Sequence, residues 1–238
     1  MSTQAAGKKP LKPRKKRHFS SVVSQFCRQK TRRYILSLQA FFRGQPRVFY
    51  HASNIEGLKE LLPLSTLHNS GEKVCYITPV REYALFYLRD MVVNHVTCGV
   101  SKDGIVIYDE QFPNQLEKIY RGRSGYLYEC SDDDRVSEGH AKGVWVLRRP
   151  VSISGVERVE DVYTEIICAE RAGRVRVNRY ETLSDARKTE IDEMMKDYIA
   201  DSGFLTEDSP KARFFAENFP RAWGLAEMCN REEEIDDQ

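Results

Sequence analysis

The sequence predicts an α+β fold, with short strands bent around a core and helices gathered at the C-terminal end. Three observations carry that reading. Short apolar segments recur between positions 46 and 180, each bounded by Gly, Pro or Asn, as strands are. Beyond residue 183, apolar residues return at helical spacing instead. The 238 residues, 41% hydrophobic and 11% aromatic, are enough to bury a substantial core.

The chain opens on a basic arm. Residues 1–43 hold twelve Lys and Arg and no acid, the first acid being Glu56. The other 25 cations face all 35 acids, so residues 44–238 carry a net charge of −10. Residues 1–17 have too little apolar surface to offset ordering entropy and are expected to be disordered. Over residues 18–44, Val22, Val23 and Phe26, then Ile35, Leu38, Phe41 and Phe42, recur as on a basic amphipathic helix. Ser20 or Ser21 would cap its start, and Gly44 follows its end.

The main domain is read over residues 45–182. Its first strand is Arg47-Val48-Phe49-Tyr50-His51, set between Pro46 and Asn54. A second covers Val74-Cys75-Tyr76-Ile77, ahead of Thr78-Pro79. Thr78 is read as an N-cap with Pro79 at the first helical position, opening a helix over residues 80–90. Residues 99–108 read as two strands around the turn Lys102-Asp103-Gly104. Further strands follow at 125–130, 143–147 and 151–159, the last with Val151, Ile153 and Val156 turned inward. A helix over 161–172, ended by Gly173, and a strand over 174–180 complete the domain.

A helical appendage is expected over residues 183–230. Ser184 caps its first helix, which shows Ile191, Met194, Met195, Tyr198 and Ile199 on one face. Ser209-Pro210 opens a second helical stretch carrying Phe214, Phe215, Phe219 and Trp223, with a bend at Pro220. Residues 231–238 form an acidic, solvated tail.

Composition and motifs exclude several function classes. No run approaches the length of a membrane-spanning helix, and no apolar signal-peptide core stands at the N-terminus. The six cysteines are irregularly spaced without a CxxC and read as reduced thiols. The five histidines form no metal-binding pattern. No P-loop, no GxGxxG after a strand and no GxSxG is present, so nucleotide kinase, dinucleotide dehydrogenase and serine hydrolase readings have no support.

Two strands that both end in hydrogen-bonding side chains make a ligand mouth. The first ends in Tyr50-His51-Ala52-Ser53 and the second in Tyr76-Ile77-Thr78. This aromatic-His-x-Ser opening, followed by a second-strand Tyr, resembles the ADP-ribosyltransferase fold, and more closely small bacterial proteins of that type. The resemblance covers residues 48–180 and implies a split, highly bent β core. It implies that His51 binds the ribose of NAD, that Ser53 assists, and that Tyr76 and Thr78 line the nicotinamide pocket, with Tyr83 a weaker candidate.

Cleaving the glycosidic bond of NAD requires negative charge near an oxocarbenium-like ribose, normally a carboxylate. Glu129, at the end of a strand, is the acid placed best, and it joins Tyr76 as the candidate catalytic pair. Glu165 reads as a solvated helix charge, and Glu181 either reaches a mouth or precedes the Ser184 cap. Arg121 and Arg123 could hold a diphosphate, or simply form an exposed basic loop. Two functions follow: an NAD-dependent ADP-ribosyltransferase, or a non-catalytic module that binds a nucleotide or RNA end. A third reading makes His51 and Tyr76 purely structural, in a protein that works by interaction. Residues 8–43 suggest a polyanionic partner, nucleic acid or an anionic membrane. The protein reads as cytoplasmic, with nuclear or mitochondrial targeting by the arm left open.

Overall fold

The computed structural model describes residues 48–67, 70–131, 136–139 and 141–236. The arm and amphipathic helix expected over residues 1–44 lie outside the described residues. In chain order the strands are β1 (Val48–Ser53), β2 (Glu60–Leu61), β3 (Ser65–Thr66), β4 (Lys73–Ile77), β5 (Thr97–Val100) and β6 (Val106–Asp109). They continue with β7 (Gly125–Ser131), β8 (Val136–Glu138), β9 (Trp145–Leu147), β10 (Val151–Ser152), β11 (Gly155–Val159) and β12 (Val175–Asn178). The helices are α1 (Arg81–Ala84), α2 (Gln115–Tyr120), α3 (Val162–Arg171), α4 (Asp185–Asp201), α5 (Pro210–Asn218) and α6 (Pro220–Asp236). The mixture is α+β.

The β structure is divided. One antiparallel sheet runs β1-β7-β11, and another runs β3-β4-β9-β8. They meet through one bridge, in which the Tyr50 and Thr78 backbones exchange hydrogen bonds of 2.8 and 3.0 Å. A third sheet, β5-β6-β12, holds the hairpin expected at Lys102-Asp103-Gly104. In it β12 lies parallel to β6, a pairing that local sequence does not announce. The Tyr128 hydroxyl ties down the segment after β1, donating to the Ile55 carbonyl (2.7 Å) and accepting from Leu58 N–H.

Helix ends follow their local chemistry. Asp161 caps α3 by accepting from Thr164 N–H at 2.7 Å and also takes the Gly122 N–H, at 2.5 Å. Burial alone would raise its pKa, but these bonds and nearby Arg121 outweigh that and lower it. Gly173 ends α3 at φ +74°, in the left-handed region. Ser184 caps α4 and Ser209 caps α5, while Pro220 starts a separate helix. The acidic residues read as a solvated tail extend α6 as far as Asp236.

The C-terminal helices share the main core. Ile191, Met195, Ile199, Phe214, Phe215 and Phe219 belong to the same buried cluster as Val106, Tyr108, Phe112 and Ile166. Phe112 meets Phe219 edge to face, with ring centroids 5.2 Å apart. A smaller cluster, built around Phe49, Cys75, Ile77, Tyr128 and Cys130, lies under the opposite face of β1 and β4.

Three local expectations need correction. The helix read over 80–90 is α-helical only at Arg81–Ala84 and tightens to a 3₁₀ turn at Leu85–Tyr87. Asp90 closes it by accepting from the Val92 and Val93 N–H groups. Thr78 does not cap this helix: its backbone belongs to the bridge with Tyr50, its hydroxyl accepts from Val80 N–H at 3.1 Å, and Val80 holds the cap position. Val156 points outward at 61% exposure, and β11 buries Val159 instead. Helix α2 follows a left-handed Asn114 rather than a sequence-legible cap.

Candidate functional site

The seam where β1 and β4 part opens into a cavity of 670 Å³. Consecutive residues of both strands line it: Tyr50, His51 and Ala52 from β1, then Tyr76, Ile77 and Thr78 at the end of β4. Strict alternation would send Tyr50 and Tyr76 to one face and His51 to the other. Beyond the single bridge the strands separate, so neighbouring residues of each border the gap. Tyr83, Ala84 and Tyr87 of the short helix close one side, with Met91 beyond them. Ser65, Leu67, Ala141 and Val144 complete the lining.

His51 is held in one orientation. Its Nδ1 lies 2.9 Å from the Tyr76 carbonyl oxygen, which can only accept, so Nδ1 carries the proton. Cys75 Sγ sits 3.5 Å from the same nitrogen. Its weak S–H donor does not compete with the shorter bond to the carbonyl, and burial pushes the thiol pKa up to about 12. Burial also lowers the His51 pKa, outweighing the bond to Tyr76 that would raise it. The ring is therefore neutral at neutral pH, and Nε2 carries a lone pair. Nε2 has no partner among the described residues.

The tyrosines form the apolar walls. Tyr83 and Tyr87 stand at 74° with centroids 5.8 Å apart, and Tyr83 also lies parallel to Phe86 at 5.8 Å. Burial raises the pKa of Tyr50, Tyr83 and Tyr87, so their hydroxyls act as neutral hydrogen-bonding groups and not as bases. For Tyr50, Glu129 adds to the rise; the two are cross-strand partners in the β1–β7 register.

Of the residues read from sequence, His51, Tyr76 and Thr78 come together on this cavity. Ser53 and Glu129 do not line it. The Ser53 hydroxyl accepts from Ile55 N–H at 3.1 Å and shapes the turn after β1. Glu129 lies one side chain removed, beside Tyr50 and against Gly155, where an added Cβ would come within 2.6 Å of its carboxylate. Glu165 is not solvated alone: it accepts from Arg81 at 3.0 Å, and Arg81 also forks onto Glu157 through Nε at 2.9 Å and through its terminal nitrogen. Glu181 accepts from Asn114 N–H at 3.3 Å. Arg121 pairs with Glu117 at 2.8 Å and covers the Tyr163 ring.

Sequence reading missed Tyr50 and Tyr87 and gave Tyr83 too little weight. Tyr50 is detectable from its alternation with Ala52, and Tyr87 from its spacing four residues after Tyr83. Met91 and Val144 have no such signal, because loops deliver them. His95, the other described histidine, is packed against Tyr198 and Phe215 at 6.0 and 5.8 Å. Among the described residues, no three His, Cys, Asp or Glu gather as a metal site requires. No described helix is long and apolar enough to cross a membrane. No family model, curated protein or solved structure matches the chain.

Proposed function

We propose that the protein binds NAD or a related nucleotide in the cavity between β1 and β4, in the manner of an ADP-ribosyltransferase-like fold. The observation that carries this reading is the fixed tautomer of His51. Its Nδ1–H is spent on the Tyr76 carbonyl, which leaves Nε2 as an acceptor on the cavity wall. An acceptor of that kind suits a ribose hydroxyl. Tyr76, Tyr83 and Tyr87 suit a planar ring, nicotinamide or a nucleobase, by stacking or edge contact. The division of the sheet at the Tyr50–Thr78 bridge agrees with the split core that this fold implies.

Binding is the primary role in this reading. Transfer of ADP-ribose needs a carboxylate at the ribose, and Glu129 does not line the cavity but is the cross-strand partner of the lining residue Tyr50. Turnover is the second reading, favoured by that adjacency. The basic arm, read from its sequence, would tether the domain to nucleic acid or an anionic membrane.

Calorimetry with NAD, ADP-ribose and nicotinamide tests the binding, with released nicotinamide followed in parallel. Heat with NAD that is lost in His51→Ala supports the site. Release of nicotinamide that stops in Glu129→Gln supports transfer or hydrolysis. No heat from any of the three ligands at millimolar concentration overturns the reading.

A further inference from the structure

We infer that this cavity recognises the nucleoside part of its ligand and leaves any phosphate in solvent. The inference rests on the nucleotide reading above and narrows its ligand class. Among the described residues, no Lys, Arg, Asp or Glu lines the cavity. The polar residues that line it are Ser65, Thr78, His51, Tyr50, Tyr76, Tyr83 and Tyr87, all uncharged. A phosphate drawn against such a wall would lose its hydration without gaining a cation.

The described cations that flank the lining are already engaged. Arg81, two residues before Tyr83, forks onto Glu157 and reaches Glu165. Lys73, on β4, donates to the Thr66 hydroxyl at 2.8 Å and to the Leu64 carbonyl at 3.3 Å. Lys142, next to Ala141, donates to the Ser101 carbonyl at 2.6 Å. Arg148, just past β9, holds Glu72 at 3.0 Å and the Ser137 hydroxyl. Arg89 is buried, with its guanidinium 3.8 Å over the Phe86 ring and a bond to the Phe86 carbonyl. Recruiting Arg81 would strand two carboxylates, and recruiting Arg89 would unpack a core ring. The lone pair of His51 reinforces the point, because an unprotonated imidazole nitrogen repels a phosphate oxygen and accepts a sugar hydroxyl.

The test uses the full chain and two matched pairs: adenosine with its 5′-monophosphate, and nicotinamide riboside with its 5′-monophosphate. NAD is titrated alongside. Within each pair the affinities are expected to agree within about threefold, since a phosphate contact to a basic side chain would contribute roughly tenfold or more. A monophosphate that binds tenfold tighter than its nucleoside, in either pair, overturns the inference and leaves the nucleotide reading intact. Absence of binding by NAD and by all four compounds overturns both.

Discussion

The His51 imidazole and the Tyr76 backbone carbonyl, 25 residues apart in sequence, are joined by a 2.9 Å hydrogen bond across the seam between β1 and β4. This bond fixes the ring plane, the tautomer and the width of the gap together. It makes His51 part of the architecture and a ligand group at the same time.

Replacing His51 by Ala should therefore have two effects. Ligand affinity should fall by about 1–3 kcal/mol, the usual cost of losing a buried polar contact. Folding stability should fall by about 0.5–1.5 kcal/mol for the lost bond to Tyr76. Calorimetry and denaturant titration separate the two. Unchanged NAD affinity in a folded His51→Ala protein would show that the ring has no ligand role.

The depressed His51 pKa sets the direction of pH dependence. Its folded value lies below the ordinary 6.5, so the unfolded chain binds the proton more readily. The contribution of His51 to stability is complete above the unfolded value of 6.5 and is lost as pH falls from there through the folded pKa. Ligand affinity should follow the same course, flat from neutral to mildly alkaline pH and weaker in acid, because protonation at Nε2 removes the acceptor. Calorimetric titrations across the acid range check this, and affinity that rises on acidification would contradict it.

The aromatic wall should be separable from the seam. Tyr87→Ala removes the ring that stands at 74° to Tyr83 and opens the cavity. It should weaken nucleotide binding by about 0.5–1.5 kcal/mol beyond any loss of area. Tyr87→Phe should retain most of the affinity. Equal loss in both variants would shift the role from the ring to the hydroxyl.

A side chain at Gly155 can be accommodated only by moving the Glu129 carboxylate. An added Cβ would meet the Glu129 carboxylate at 2.6 Å, so Gly155→Ala must displace Glu129. If Glu129 supports turnover, this variant should lose nicotinamide release while keeping NAD affinity. A variant that releases nicotinamide at the normal rate would remove Glu129 from the chemistry.

The arm gives an independent test. Deleting residues 1–17 should leave the melting temperature nearly unchanged, since that segment has little apolar surface to bury. Full-length protein should be retained on immobilised polyanion at low salt and released between about 50 and 200 mM. Equal retention without residues 1–43 would exclude the arm as the anchor.

Much of the seam was legible because both strands end in polar residues after apolar runs. His51, Tyr76 and Thr78 announce themselves in that way. The third wall was not legible. Tyr83 and Tyr87 looked like part of a longer packed helix, and only the Asp90 turn, which takes the Val92 and Val93 N–H groups, cuts that helix short. Ser53 and Glu129 were read by position along their strands. A local turn engages the Ser53 hydroxyl with the Ile55 N–H, and Glu129 lies off the cavity lining as the cross-strand partner of Tyr50. The parallel pairing of β12 with β6 depends on contacts nearly 70 residues apart in sequence, which no local pattern encodes.

The most direct test of the account is nitrogen NMR of the His51 imidazole during a titration with NAD. The ring is expected to be neutral with the proton on Nδ1, and to show a saturable shift confined mainly to Nε2 as ligand binds. A ring protonated on Nε2 in the free protein, or an Nε2 resonance unmoved by millimolar NAD, would contradict it.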